Sequence, residues 1–458
     1  MQVFDNPTLT AISPVDGRYR DKTSELSIFL SEQALIRYRI KIEIEYLIAL
    51  GKEKNFTALA PLSTSYQTQL RKYYRTFSPT EAQKVKEIEK QTNHDVKAVE
   101  YYLREQFQNT RLNKLSPWIH FALTSEDINN LAYSLMWRDA LKHIYLPGLK
   151  SLYRNLRTLA RRYKQITLLS LTHGQPATPT TVGKELAVFA SRLQQQMQAL
   201  QSTTLTGKLA GASGTWAAHQ ISFPQVNWLA FSTRFVKSLG LKPNLLTTQI
   251  EPHDNLAASY QALIRVNTIL IDLCRDVWTY ISRGIFQQKK VAGEVGSSTM
   301  PHKINPIQFE NAEGNLGIAN ALLDHLAVKL PVSRLQRDLT DSTVLRTQGV
   351  PLAHSLLAIK NIINGLPRLV INKTVINLEL ENHWEVLAEA IQMILRKSGR
   401  SDAYEQLKEF TRGHSIDKES IRSFIADLDI PENERLILME LLPQNYNGLA
   451  PELVELLK

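Results

Sequence analysis

Apolar residues recur at spacings of three and four along the middle of the chain, which is the pattern of helices that bury one face. Segment 181–202 follows this pattern on a single stripe. The apolar residues of segment 255–290 cover several faces, as in a helix buried among other helices. We predict three more long helices, which lie over 132–165 with a kink at Pro147, over 307–330, and over 342–364 with an interruption at Pro351.

The two ends of the chain carry shorter helical patterns and more turn residues than the middle. Ser78 followed by Pro79 predicts a helix start, segment 95–107 predicts a short helix, and residues 365–367 predict a helix stop. Long apolar stripes on the central helices also predict a closed homo-oligomer. We therefore predict an all-α fold of three domains, which are a small helical domain over 1–113, a central long-helix bundle over 114–366 and a small helical domain over 367–458.

The chain has 458 residues, of which 43% are hydrophobic and 21% are charged, as is ordinary for globular proteins. Its single cysteine, Cys274, allows no internal disulfide and fits the reducing cytoplasm. We find no secretory signal and no apolar stretch of about 18 residues, so we expect no membrane span. The net charge of +10 fits anionic ligands or a basic surface, whereas nucleic acid is a weaker interpretation because Lys and Arg form no dense run.

Segment 293–306 concentrates reactive groups in a short polar stretch. It contains two glycines that suit hinges, adjacent hydroxyls beginning with Ser297, then Lys303 and Asn305 before Pro306. A serine can act as a base towards a carbon acid if a nearby cation stabilises its alkoxide. Lys303 and Asn305 also suit a carboxylate substrate. The pattern predicts a mobile catalytic loop that closes over a bound anion.

Two further polar segments each allow a functional and a structural interpretation. Loop 171–179 is stiffened by prolines and presents His173. The functional interpretation is that His173 exchanges a proton near neutral pH, and the structural one is that it satisfies loop backbone groups. Segment 92–97 precedes a predicted helix, where backbone N–H groups favour an anion. The alternative there is simple helix capping by Asn93 or Asp95. The polar residues of this second segment are Asn93, His94 and Asp95.

Two other groups could also bind an anion. Thr124, with Asp127 three residues later, is a capping-box pattern, although Thr124 and Ser125 could equally bind carboxylate or phosphate. Ser342 and Arg346 share a helix face and could converge with Arg337 on an oxyanion, the alternative being a salt-bridged surface. The chain has no zinc-type histidine spacing, Walker loop or dinucleotide fingerprint, so we expect no metal and no cofactor.

Taken together and in this order, these segments resemble one family. Residues 296–306 resemble the signature loop of the fumarase/aspartase superfamily, whose members release fumarate. Segments 13–19, 92–97 and 172–179 are similar to the adenylosuccinate lyase family, in its longer bacterial branch, and the match extends to residues 383–389. The resemblance implies a long-helix bundle of that type and fumarate release from adenylosuccinate, giving AMP, and from SAICAR, giving AICAR. It also implies a homotetramer whose active sites each draw on three subunits.

The resemblance implies roles for individual residues as well. Ser297 would remove the β-proton of the succinyl group, while Lys303 and Asn305 hold its carboxylate and the developing charge. His173 would protonate the leaving nitrogen, oriented by Glu310. The residues implied for the phosphate or ribose are Arg18, Tyr19, Arg337, Ser342 and Arg346. Those implied for the nucleotide and succinyl pockets are Asn93, His94, Asp95, Thr124, Ser125 and Gln249, with His120 as an outer partner.

Three alternatives remain open from the sequence. Another fumarate-releasing enzyme, such as argininosuccinate lyase, would share the signature loop but would need no nucleotide contacts. Arg18, Tyr19 and the group around Arg337 favour a phosphate-bearing substrate over that alternative. A non-catalytic protein on the same scaffold would not need Ser297 and His173. A basic nucleic-acid binder is the third alternative, and it predicts a strongly salt-dependent affinity for DNA.

Overall fold

The computed structural model describes residues 7–289, 293, 300, 303–411 and 416–457. Contacts within the chain divide it into two compact units. The first unit contains Met1–Leu149, Gln196–Thr268 and Gly314–Lys360, and the second contains Lys150–Gln195, Ile269–Glu313 and Asn361–Lys458. The division into three domains stays a prediction.

Helices make up most of the described chain, which confirms the all-α prediction. In chain order the α-helices are α1 (Arg20–Thr23), α2 (Ser27–Leu30), α3 (Glu32–Lys52), α4 (Thr64–Arg75), α5 (Pro79–Thr92), α6 (Asp95–Phe107), α7 (Ser125–Ala140), α8 (Leu146–Arg162), α9 (Val182–Ser202), α10 (Ala217–Ser222), α11 (Trp228–Ser238), α12 (Asp254–Ser282), α13 (Ile307–Lys329), α14 (Thr340–Leu345), α15 (Gly349–Gly365), α16 (Lys373–Glu381), α17 (Ala388–Lys397), α18 (Ala403–Thr411), α19 (Lys418–Ala426), α20 (Glu432–Glu440) and α21 (Ala450–Leu453).

Short strands pair two by two in the described residues. The antiparallel pairs are β1 (Thr167–Thr172) with β2 (Gln175–Thr181) and β5 (Phe286–Gln288) with β6 (Leu369–Ile371), and the parallel pair is β3 (Thr206–Gly207) with β4 (Lys242–Pro243). Short 3₁₀ turns lie at Ser24–Leu26, Asn113–Trp118, Leu366–Arg368, Trp384–Leu387 and Val454–Leu456.

The N-terminal part of the first unit is organised around α3. Ile36, Ile40 and Ile44 lie on one face of this helix and are buried in a cluster with Leu103 and Phe107 of α6. Each such burial stabilises the fold by roughly 1.5–3 kcal/mol. This packing holds the junction between α5 and α6, where the candidate residues at 93–95 lie.

Several helices have the bounds that the sequence predicts. α5 begins at Pro79, and the Ser78 hydroxyl caps it by accepting a backbone N–H over 3.2 Å. The helices predicted over 95–107, 181–202 and 307–330 correspond to α6, α9 and α13. These segments were predictable because capping residues and apolar periodicity agree in each of them.

The helix predicted over 255–290 is too long at its C-terminal end. α12 ends at Ser282, and the chain turns at Gly284, whose φ of 76° is a left-handed value that glycine adopts easily. The chain then enters β5, where Phe286 pairs with Ile371. Periodicity concealed the change because Ile285 and Phe286 are buried, as they would also be in a helix.

The two predicted helix interruptions lie close to their prolines but not at them. The helix of segment 132–165 begins earlier, at Ser125, and contains a π-helical turn at Leu141–Tyr145. This wider turn includes the residue four positions before Pro147, whose carbonyl a proline ring would otherwise meet. The break in segment 342–364 falls between α14 and α15, so Pro351 lies in the first turn of α15, where a proline is tolerated.

The segment predicted as a stiff loop around His173 is instead the tip of a β-hairpin. Thr172 pairs with Gln175, so His173 and Gly174 form a two-residue connection between β1 and β2. Their φ values of 54° and 75° are both positive, as a type I′ turn requires. The helical period around this segment gave no sign of the short strands, but the His-Gly pair is compatible with such a turn.

Exposed apolar side chains remain on the long helices. Val188 on α9, Trp278 on α12, and Ile318 and Val328 on α13 are 40%, 47%, 50% and 64% exposed. No helix among the described residues is both long and apolar enough to cross a membrane. These helices therefore carry more apolar surface than one chain buries.

Candidate active site

The start of α7 is held by a buried carboxylate. Asp127 forms the predicted capping box with Thr124, whose N–H donates to it over 3.0 Å. Its carboxylate also accepts the N–H groups of Ala210 and Gly211, over 2.8 and 3.0 Å, and forms a fully buried ion pair of 2.9 Å with Lys208. This framework gives Thr124 and Ser125, the first residue of α7, a fixed position.

Gln249 belongs to the same region of the first unit. Its side-chain amide donates to the carbonyl of Ala212 over 2.7 Å. Ala212 directly follows the two residues whose N–H groups bind Asp127. The fold thus brings Gln249 towards the start of α7, although the two are 125 or so residues apart in sequence.

Arg337 is held by two buried carboxylates. Its Nη1 donates to Glu126 over 2.8 Å, and its Nη2 lies 3.9 Å from an oxygen of Asp341. Burial, with the charge of Asp341, raises the pKa of Glu126 to about 7, although Arg337 acts in the opposite direction. Glu126 follows Ser125 in the chain, so Arg337 is anchored at the start of α7.

The start of α14 connects Ser342 and Arg346 to this region. The Ser342 N–H donates to Asp341 over 2.6 Å. Arg346, which follows α14, donates to Asp95 over 2.8 Å and to Glu32 over 3.2 Å. The ion pairs of the salt-bridged alternative are therefore present, and they also orient the guanidinium groups of Arg337 and Arg346.

Asp95 lies between two arginines. It accepts from Arg346 and, over 2.6 Å, from Arg39, which is only 1% exposed. Burial opposes ionisation, but the two guanidinium groups outweigh it, and the pKa of Asp95 is below its usual value. Asp95 therefore stays ionised and ties Arg346 to α3 and α6.

The junction before α6 is capped by a different residue from those expected. The His94 Nδ1 accepts the N–H of Lys97 over 3.1 Å, so His94 caps α6. Asn93 adopts a φ of 49° at the end of α5, and the Asp95 carboxylate binds arginines. The prediction of capping by Asn93 or Asp95 is wrong because Asn93 turns the chain and the carboxylate is drawn to the buried charge of Arg39.

The N-terminal candidates follow a tight turn. The Tyr19 N–H donates to Pro14 over 2.9 Å, and the Thr23 hydroxyl donates to the Tyr19 carbonyl over 3.0 Å. A cavity of about 350 Å³ lies beside this turn, and its lining includes Arg20, Glu32 and Arg346. That volume is in the range of small-molecule pockets. Arg18 is exposed, and no ion pair joins it to another side chain in the described part of the chain.

His120 is a buried neighbour of α3. Its Nδ1 lies 2.6 Å from a carboxylate oxygen of Glu43, and its N–H donates to the other oxygen over 3.1 Å. Burial lowers the pKa of His120, but the Glu43 charge outweighs this and the net shift is upward. The charge pair supports a role as an outer partner.

The second unit carries the candidates for the chemistry, and His173 and Lys303 have few side-chain partners among the described residues. His173 is exposed at the hairpin tip. Lys303 is also exposed, and its backbone N–H donates a hydrogen bond to the Met300 carbonyl over 3.0 Å. Glu310, in the first turn of α13, accepts from the Trp278 indole over 3.1 Å. Between Glu310 and His173, the described residues show no hydrogen bond. Asn305 lies between Lys303 and α13 and is half-buried.

The proposed base, Ser297, lies outside the described residues. Of the two glycines expected as hinges, Gly293 is described and adopts a φ of 84°, a value that favours glycine. Gly296 also lies outside the described residues. The roles of this loop stay predictions.

Sequence reasoning missed the buried charges that support the site. Asp127 was predicted only as a helix cap, and Asp341 was visible only as the residue before Ser342. Arg39 lies among other charged residues of α3, such as Arg37 and Lys41, so the sequence does not distinguish it as the buried one. The buried ionisable residues that were missed include Arg39, Glu126, Lys208, His253 and Asp341.

Among the described residues, one group has the composition of a metal centre. Glu126, His253 and Asp341 are buried, and each offers a ligand atom within 4.8 Å of the others. Arg337 already supplies positive charge to both carboxylates. We therefore interpret the group as buried ionisable residues balanced by Arg337, and the expectation that catalysis needs no metal stays a prediction.

Comparisons with known proteins agree with this architecture. A family model described as "Lyase" matches residues 17–319, and one described as "Adenylosuccinate lyase C-terminal" matches residues 333–447. Adenylosuccinate lyases from Legionella pneumophila strain Corby, Dictyostelium discoideum and Escherichia coli K12 are 49%, 51% and 48% identical to the chain. The alignments cover 98%, 97% and 98% of this chain and 98%, 97% and 99% of those proteins.

Solved structures show the same fold at much lower identity. A fumarate lyase from Mesorhizobium sp. BNC1 superposes with a TM-score of 0.76 at 20% identity, covering 95% of this chain and 97% of that one. A 3-carboxy-cis,cis-muconate lactonizing enzyme from Pseudomonas putida has a TM-score of 0.70 at 20% identity, covering 95% and 96%. Fold and family model together define a lyase that has the same fold as this fumarate lyase. More narrowly, identity near one half over nearly the whole length shows that the chain belongs to the adenylosuccinate lyase family.

Proposed function

We propose that this protein is an adenylosuccinate lyase that releases fumarate from adenylosuccinate, giving AMP, and from SAICAR, giving AICAR. The observation that carries the proposal is the 48–51% identity with adenylosuccinate lyases over nearly the whole chain. The anchored guanidinium groups of Arg337 and Arg346 support a phosphate-bearing substrate, because an oriented arginine fork binds phosphate through two hydrogen bonds.

The elimination itself would use groups of the second unit. Ser297 takes the β-proton of the succinyl group, and Lys303 with Asn305 binds the succinyl carboxylate and stabilises the developing negative charge. His173 gives a proton to the departing nitrogen, and Glu310 orients the imidazole. An exposed imidazole on a two-residue turn suits this role because it can approach a substrate without rearrangement of the hairpin. Each of these steps uses only side chains of the protein.

The nucleotide would be held by groups of the first unit. Arg337, Ser342 and Arg346, with Arg18 and Tyr19, bind the phosphate or ribose. The start of α7 supports this assignment, because the helix dipole favours an anion at a helix N-terminus. The residues proposed to line the nucleotide and succinyl pockets are Asn93, His94, Asp95, Thr124, Ser125 and Gln249, with His120 behind them.

We also propose a homotetramer in which each active site draws on several subunits, and a cytoplasmic location. The exposed apolar residues on α9, α12 and α13 support the assembly, because a partner chain would bury them. The few partners that His173 and Lys303 have within the described part of one chain support shared sites. The three-domain division is part of the same proposal.

The direct test is a substrate comparison. Purified protein is incubated with adenylosuccinate, SAICAR and, as a control, argininosuccinate, and fumarate release is followed by absorbance. We expect turnover of the first two only. Turnover of argininosuccinate alone would establish the rival lyase, and no turnover of any of the three would contradict the proposal.

Shared sites are tested by mixing two inactive variants, Ser297→Ala and His173→Asn. After dissociation and reassociation, hybrid assemblies should contain some sites with an intact serine and an intact histidine from different subunits. Recovered fumarate release, compared with each variant treated alone, supports shared sites. If the mixture stays as inactive as its components, both residues of a site come from the same chain.

A further inference from the structure

A buried group of side chains behind Arg337 has no role in the proposed chemistry. Glu126, His253 and Asp341 are 2%, 2% and 4% exposed, and one polar atom of each lies within 4.8 Å of the others. Glu126 belongs to the first turn of α7, Asp341 to α14, and His253 immediately precedes α12. Three separate elements thus place ionisable groups at one point.

Each residue of this group has a buried polar atom without a hydrogen bond among the described residues. These atoms are Glu126 Oε1, His253 Nε2 and Asp341 Oδ2. The opposite oxygens are engaged, since Glu126 Oε2 accepts from Arg337 and Asp341 Oδ1 accepts from the Ser342 N–H. Leaving such groups unpaired is costly, so a fold that keeps three of them together uses them for something other than stability alone.

Charged groups from several elements act on Glu126 and His253. Lys208 and Arg337 lie near Glu126, and Glu251, Asp254, Asp341 and Arg337 lie near His253. Lys208 is itself paired with Asp127. Arg337, which is 19% exposed, is therefore the cation that connects the buried carboxylates to the surface.

We propose that Glu126 is a positioning residue that orients the Arg337 guanidinium towards the phosphate of the nucleotide. Asp341 and His253 form the buried surroundings of this pair. The proposal rests on the proposed function, because that function supplies the phosphate. Glu126 holds one arm of the fork at 2.8 Å, while Asp341 at 3.9 Å is beyond a hydrogen bond from the other. Glu126 therefore fixes one nitrogen of the Arg337 guanidinium, and we propose that the other N–H donors bind the phosphate.

This arrangement has a direct consequence for pH. The pKa of Glu126 is raised to about 7, by burial first and then by Asp341. Below that pH the carboxyl gains a proton, and Arg337 loses the charge that orients it. Nucleotide binding should weaken as the pH falls through 7, beyond the effect of the substrate phosphate, whose own second pKa is about 6.

The test uses Glu126→Gln, which keeps an oxygen acceptor for Arg337 and removes the charge. Dissociation constants for AMP and for adenosine, which lacks the phosphate, are measured by calorimetry from pH 6 to 8. We expect AMP to bind roughly ten- to a hundredfold more weakly at pH 8, since a hydrogen bond between charged groups is at stake. Adenosine should bind as it does to the unmodified protein, and the pH step near 7 should disappear.

Glu434→Gln is the matched control, because Glu434 is also nearly buried and paired with a lysine, but it belongs to the second unit. Equal weakening of AMP and adenosine by Glu126→Gln would overturn the positioning role in favour of a purely structural one. An unchanged affinity for AMP would overturn it as well.

The experiment also separates this proposal from the function on which it rests. If the unmodified protein bound AMP no more tightly than adenosine, the phosphate role of Arg337 would fail, and the positioning role would fail with it. If Glu126→Gln does not fold, Asp341→Asn is used instead. It should show a smaller selective loss of AMP affinity, and no selective loss would overturn the proposal.

Discussion

The surroundings of Arg337 and of His173 differ sharply. Arg337, in the first unit, is paired with Glu126 and lies near Asp341, both of them buried carboxylates. His173, in the second unit, stands exposed on a two-residue turn. One candidate group is held by charges from distant parts of its own chain, and the other only by the backbone that carries it.

This difference indicates that phosphate binding and protonation of a leaving group need different structural support. Binding a phosphate needs cations in fixed directions, and buried carboxylates provide them within a single chain. A general acid that protonates a leaving group must be accessible to the substrate, and it depends less on contacts with other side chains. The buried region should therefore respond to mutation through stability and affinity, whereas removal of the His173 imidazole at the hairpin tip should act mainly on turnover.

The largest effect should come from His173→Asn. Asparagine before glycine is favoured in type I′ turns, so the hairpin should keep its stability while it loses the imidazole. We expect fumarate release to fall about 10²–10⁴-fold, as is typical when a positioned acid is removed. Turnover and thermal melting are measured together. Activity within about threefold of normal would remove His173 from the chemistry.

In the buried region, Asp127→Asn should have the largest effect on stability. The change leaves Lys208, which is fully buried, without its carboxylate. Breaking such a pair typically costs about 3–5 kcal/mol in the free energy of unfolding, which urea titration measures. The control is Asp417→Asn at the exposed start of α19, where asparagine caps a helix about as well as aspartate, so we expect little loss of stability. Equal losses in the two variants would show that the buried pair is not special.

The raised pKa of Glu126 predicts a pH-dependent difference in stability between the unmodified protein and Glu126→Gln. The folded state holds a proton up to about pH 7, whereas the unfolded carboxyl releases it near its ordinary value of 4.5. The contribution of Glu126 to stability is therefore greatest below that ordinary value and is lost as the pH rises to 7, by roughly 3 kcal/mol. Unfolding free energies at pH 5 and pH 8 measure it.

The same measurement on Glu434→Gln should have the opposite sign. Ser398 and Lys397 hold the pKa of Glu434 below its usual value, so its contribution is present at neutral pH and is lost in acid. A difference for Glu126→Gln that does not change with pH would contradict the raised pKa.

The smallest effect should come from Gly174→Ala. Gly174 has a φ of 75°, and an added Cβ would meet no atom within 4 Å, so the cost is in the backbone alone. We expect a loss of about 1–2 kcal/mol in stability, measured by thermal melting, and a much smaller loss of turnover than in His173→Asn. A loss of turnover as large as that of His173→Asn would show that the geometry of the tip matters as much as the imidazole.

Much of the fold was predictable because its signals are local. Ser78 and Pro79 predict the start of α5, and apolar spacing alone predicts α9. The same local signals failed where two structures share one pattern, as at Phe286, which is buried in a strand as it would be in a helix. They failed again at His173, because a two-residue turn depends on the pairing of the strands beside it.

The order of residues along the chain determined the helices and the family, because periodicity, capping and motif spacing are properties of neighbouring residues. Only the tertiary structure decided which charges are buried together. Arg337 and Glu126 are 211 positions apart, so nothing local relates them. Their pairing, and the shifted pKa that follows from it, exists only once folding has excluded water from between α7 and α14, because the energy of a charge depends on its surroundings.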